Sequence, residues 1–301
     1  MKTYALYLLM LCFSVIGCQK DIGEDEIQSK AKKDKCCKCK DVLFLPEELN
    51  VSSRYSRYGG DTVTTGISQY KFTYENDQGD LRSIILTYPD GKKDTTLFKY
   101  KNGLLDTVIV LNTGPNELST ISKFTFINNQ IDTREEFSWD NQNTPSSDGT
   151  WTFTWNGNKL SSSFYNFLGK LLFEYDQDTI KSVKTEKTPG YEWAYETSWG
   201  DRYYTSNGKN YWAKNINNKE ILQYRVPFMA IPSEFDITKV VAIIDNTHPS
   251  TPPQRTEVYQ YDNKYNDACY PIEINETHTG RDDFPWIKQT IKIKYKKVPL
   301  H

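Results

Sequence analysis

The chain has 301 residues, 37 Lys and Arg against 39 Asp and Glu, and a formal net charge of −2. Mixed charge without a basic excess lacks the field that nucleic-acid binding requires, so no nucleic-acid partner is expected. With 21 Tyr, 14 Phe and 7 Trp and few aliphatics, aromatic rings must supply much of the core, and they favour pleated surfaces.

The chain opens "MKTYALYLLMLCFSVIGCQK". Lys2 followed by the apolar Tyr4 to Val15 has the layout of an export signal over 1–17 and is too short to span a bilayer. Val15-Ile16-Gly17-Cys18 resembles the bacterial lipoprotein box. That resemblance implies removal of the signal and acylation of Cys18, with palmitate among the chains. Each buried CH2 contributes ~0.8 kcal/mol, so more than one acyl chain anchors stably. The following "QKDIGEDE" resembles the tag that sends Bacteroidetes lipoproteins to the outer face of the outer membrane. Ile22 and Gly23 interrupt its acidic run, and a periplasm-facing anchor is the alternative.

Residues 18–45 are expected to form a lipidated, charged tether too polar to order itself. Three thiols, Cys36, Cys37 and Cys39, sit in it, and Cys269 lies far off. In an oxidising compartment these are disulfide candidates with three pairings open. The CC-x-C spacing is not a zinc knuckle and no histidine is near, so no metal is expected. No other cofactor is called for.

From residue 46 to 301 the expected domain is built from a repeated phrase. The pairs Phe72/Tyr74, Phe98/Tyr100, Phe124/Phe126, Phe153/Trp155 and Phe173/Tyr175 are each two residues apart, so each pair shares a strand face. Leu105, Ile131, Leu160 and Ile180 follow the second aromatic by five residues, and Leu81 follows Tyr74 by seven. The intervening "KNG", "INNQ", "NGNK" and "DQDT" accept positive φ or form side-chain turns. Each phrase therefore reads as a β-hairpin that needs a neighbour to complete its ladder.

These units behind a lipoprotein signal resemble Bacteroidetes lipoproteins with degenerate YD/RHS-like repeats. The resemblance implies a porin-like fold and brings no catalytic residues. The expected fold is all-β: a large antiparallel meander of hairpins forming a curled sheet or open barrel, with an aromatic-rich irregular insertion.

That insertion spans 188–253. Tyr191, Trp193, Tyr195, Trp199, Tyr211 and Trp212 are the candidate ligand-binding residues, since planar rings stack on sugars; the same rings in an aliphatic-poor chain also serve as core. For Ser233 to Ile243 an amphipathic helix capped by Ser233 and a buried strand are both open.

No nucleophile elbow, zincin or phosphate-loop motif accompanies the three histidines. "HTGRDD" from His278 reads as a polar loop or a cation holder, and Glu135-Glu136 and Asp176/Asp178 show no apolar pocket around them. The expected function is therefore non-catalytic: a lipid-anchored, surface-exposed envelope protein, a candidate glycan binder through the insertion. A structural or assembly lipoprotein contacting other envelope proteins is the alternative, and a hydrolase the third.

Overall fold

The computed structural model describes residues 41–56, 62–112, 119–139, 145–165, 169–187, 200–219, 222, 233–245, 254–281 and 284–300. The signal, Cys18, the tether thiols and residues 188–199 lie outside them. The elements are β1 (Val42–Ser56), β2 (Thr62–Thr64), β3 (Ser68–Tyr74), β4 (Leu81–Thr87), β5 (Lys93–Lys101) and β6 (Leu104–Leu111). Next come β7 (Ser119–Ile127), β8 (Gln130–Trp139), β9 (Pro145–Asn156), β10 (Lys159–Tyr165), β11 (Gly169–Asp176) and β12 (Thr179–Lys187). The last five are β13 (Gly200–Asn210), β14 (Phe235–Asp245), β15 (Gln254–Tyr265), β16 (Pro271–Arg281) and β17 (Phe284–Pro299).

From β3 to β17 every strand pairs antiparallel with the next. β1 then closes the ring, pairing on one side with β17 and on the other with β2 and β3. β2 and β3 are successive segments at one position of the wall, so the barrel is closed and 16-stranded. The expected all-β antiparallel meander of hairpins is what the molecule adopts, and it curls into a barrel that is closed where an open one was expected. Pro46, which has no N–H to donate, sits at the bulge in the β1–β17 ladder between Pro46 and Glu48.

The repeat is visible in the register. Tyr74 faces Leu81, Tyr100 faces Leu105, Phe126 faces Ile131, Trp155 faces Leu160 and Tyr175 faces Ile180. Each of these pairs adjoins a bulge. The extra residue explains why the next inward side chain comes three positions after the aliphatic, as in Leu81/Ile84, Leu105/Val108 and Ile180/Val183. The turns carry positive φ at Asn102 and Gly103, Asn128 and Asn129, Gly157 and Gln177, as their composition requires.

These turns share one rim, called the lower rim, with the start of β1 and the end of β17. The repeat phenylalanines point inward and are buried at 3–8% exposure. The lower rim is covered by residues that follow β13: Tyr211, Trp212, Ala213, Ile216 and Leu222 are all buried and join the common core. Trp212 meets Phe72 edge to face at 6.3 Å. Asn215 Nδ2 donates to Phe44 O at 3.0 Å and to Tyr270 Oη at 2.8 Å, and Asn217 N donates to Gly79 O at 3.1 Å. This strap therefore ties β1, the β3–β4 turn and the β15–β16 turn together.

Two wall strands, β13 and β14, arise within 188–253. For Ser233 to Ile243 the strand prevails over the helix. Buried Val240, Ala242 and Ile244 alternate with half-exposed Val241 and Ile243 at period two, and Ser233 Oγ bonds Phe235 main chain instead of capping a helix.

Candidate functional site

Tyr191, Trp193, Tyr195 and Trp199 lie outside the described residues. Their flanking strands, β12 and β13, end and begin at the upper rim, opposite the strap. Tyr211 and Trp212 lie elsewhere, in the strap, and are each 2% exposed. They line a small cavity of about 20 Å³ with Asp236, Tyr261 and Asn263, room for a water molecule. Among the described residues one buried atom of that lining, Asn263 Oδ1, has no hydrogen-bond partner. Asp236 accepts from Asn263 Nδ2 at 2.6 Å and from Tyr265 Oη at 2.7 Å. Burial nevertheless pushes its carboxyl up to about 6, because these bonds offset desolvation only in part.

Towards the upper rim the inward face becomes polar. The first polar group forms where the repeat changes its chemistry. The inward position occupied by Ile84, Val108 and Val183 in other hairpins is Arg134 in β8 and Ser163 in β10. Arg134 is 4% exposed; its guanidinium pairs with Glu136, and Nε donates to Ser122 Oγ at 3.2 Å. Trp151 Nε1 donates to Glu136 at 3.1 Å, and Trp151 stacks on Tyr165 with centroids 4.6 Å apart. The Tyr165 hydroxyl donates to Asp148 O. Glu135 is exposed, so the Glu135-Glu136 pair is divided between the two faces.

The second group follows from the period-two run Arg255, Glu257, Tyr259 on β15. Glu257 is 4% exposed and receives three donors: Arg255 Nε at 2.9 Å, Tyr259 Oη at 2.7 Å and His278 Nε2 at 3.1 Å. The His278 ring stacks on Tyr259 at 4.0 Å. Burial alone would raise the Glu257 pKa. The His278 and Tyr259 hydrogen bonds and the His278 and Arg255 charges outweigh it and hold the carboxyl at about 2. His278 is thus a buried member of β16 and not part of a loop. Among the described residues no three of His, Cys, Asp and Glu converge as metal ligands.

In both polar groups the carboxylate is held by a cation and an aromatic donor, while Ser163 Oγ beside the first is buried without a partner among the described residues. Such buried paired charges are costly to break singly. Neither group aligns a nucleophile with a base. Composition gave no sign of them. The usable signal was positional: Arg134 stands where a repeat demands an apolar residue, and Glu257 alternates with tyrosines.

Cys269, at the lower rim, is disulfide-bonded. Every other cysteine of the chain lies between residues 12 and 39, outside the described residues.

No protein-family model matches the chain, and no curated protein matches it. Among solved structures, a porin-like protein from Bacteroides uniformis is similar over 83% of this chain and 96% of its own, at 13% identity and TM-score 0.52. A porin-like protein from Bacteroides vulgatus aligns over 84% of this chain and 99% of its own, at 11% identity and TM-score 0.36. The first of these shows the barrel fold.

Proposed function

We propose that this chain is a non-catalytic envelope protein, held by lipid on Cys18 at the outer membrane and facing the exterior, which binds glycan at its upper rim. One observation carries the reading: below its polar upper part the wall is apolar inside, and it is largely charged outside. On β17, Ile291 and Ile293 are at most 6% exposed while Lys292, Lys294 and Lys296 between and beside them face out. A membrane-spanning barrel has the opposite arrangement, with an apolar outer band and a polar lumen, and lysine on its lipid face costs about 2–4 kcal/mol at the midplane. Sixteen strands could enclose a channel, yet here the inward rings pack against one another. The barrel thus serves as a filled scaffold standing in water, and its rims are what it offers to a ligand.

The strap covers the lower rim, where the chain enters from the tether and Cys269 is bridged. That favours the upper rim for binding, to which the connection carrying Tyr191, Trp193, Tyr195 and Trp199 belongs. A glycan panel with the intact lipoprotein tests this. Binding is expected to fall at least about tenfold in Trp193→Ala or Trp199→Ala, the loss of a stacking ring, with circular dichroism unchanged. Absence of any bound glycan, or ion conductance in planar bilayers, overturns the reading.

A further inference from the structure

The outer wall is not charged throughout. Leu97, Ile109, Ile121 and Phe137 are successive cross-strand partners on β5 to β8, and each points outward between inward neighbours. Ile85 and Leu111 flank Thr95 in the adjoining row, and Leu111 is 43% exposed. These six form one contiguous apolar face toward the upper half of the barrel. Lysines border it: Lys92, Lys93, Lys99 and Lys123 are exposed against three exposed acids, Asp90, Asp106 and Glu135. Lys123 Nζ lies 5.4 Å from the Phe137 ring centre, its stem along the apolar surface and its charge at the edge.

We propose that this face of β4 to β8 lies on an anionic lipid bilayer, as a second membrane contact beside the lipid anchor. The proposal rests on the anchored reading given above. Two features select this occupant. Strand spacing and rise give the face roughly 300 Å², well short of the ~800 Å² per partner of a stable protein interface. A shallow lipid contact needs no such minimum when an anchor already holds the molecule at the surface. The basic border complements an anionic surface, each basic residue strengthening such contact about fivefold. The tether does not prevent it: residues 19–40 could reach roughly 70 Å when extended.

The test uses the full acylated chain in phosphatidylcholine vesicles, with and without phosphatidylglycerol, containing a lipid with a photoactivatable acyl chain. Labelled peptides are then mapped. Adducts are expected on residues 81–139 about tenfold above those on β15 to β17, rising with phosphatidylglycerol. Leu97→Lys with Ile109→Lys should abolish the enrichment without altering circular dichroism. Lys99→Glu with Lys123→Glu should abolish only its dependence on anionic lipid. Even labelling around the wall overturns the proposal, as do cross-links joining this face to a second copy or another protein. The mass of the Cys18 peptide reports the anchor separately. An unacylated chain that still sediments with these vesicles and labels on 81–139 would defeat the anchor and leave this contact standing.

Discussion

Glu257 and Asp236 are buried carboxyls whose surroundings act in opposite directions. Glu257, ordinarily near 4.5, sits at about 2 when folded. The unfolded chain therefore takes up its proton first, and its stabilisation is complete above pH 4.5 and lost as pH falls to 2. Asp236 rises from 3.8 to about 6, so the folded chain holds that proton more tightly. Its stabilisation is complete below 3.8 and lost as pH rises through 6. Glu276, raised by burial, adds to this second effect. Urea midpoints measured against pH should therefore fall from pH 4 to 6 and again below 4. Asp236→Asn should flatten the first decline and Glu257→Gln the second; unchanged profiles would refute both assignments. At this scale the sequence was least informative. Both residues are ordinary acids in period-two runs, and only the fold reveals that Tyr265 and Asn263 reach one while Arg255, Tyr259 and His278 reach the other.

Elements were far more legible. Phe at i−2, an aromatic, a turn and an aliphatic define a hairpin by side-chain alternation and turn chemistry alone, and all five pairs meet across the ladder. The bulge beside each pair was not legible, because an extra residue in a strand alters spacing by one and leaves composition unchanged. Nor was the strap. Tyr211 and Trp212 look alike as core or as binding surface until their burial is known, since both roles use planar rings. The strap's seat on the β3–β4 turn gives a sharp expectation. Gly79 has φ +100, and a Cβ there would lie 2.1 Å from Asn215 O. Gly91 has φ +85 and open space around it. Gly91→Ala should cost about 1 kcal/mol, the conformational penalty alone. Gly79→Ala should cost about 2–4 kcal/mol, because two backbones must also separate. Equal denaturation midpoints for the two variants would remove the clasp from the account of stability.

At the scale of the molecule, alternation predicted strands but could not predict closure. Whether a meander remains open depends on its first and last members, and here β1 and β17 pair from Val42 with Pro299 to Ser56 with Trp286. Barrels remove sheet edges by such pairing, and an uncovered edge invites other chains. Removal of residues 284–301 should expose flanks of both β1 and β16. Sedimentation should then show aggregates that the intact chain does not form; an unaltered sedimentation profile and circular dichroism would mean that closure is dispensable.

Pairing of the first strand with the last also sets a clock for biogenesis. During synthesis β1 emerges well before β17, its partner for most of its length. Hairpins from β3 onward can assemble as they appear, whereas the seam waits for β17 and for an encounter between segments more than two hundred residues apart, among the slowest kinds of contact to form. Throughout that interval one flank of β1 is open to strangers, so a holding chaperone would act most usefully on the N-terminal strand of the nascent wall.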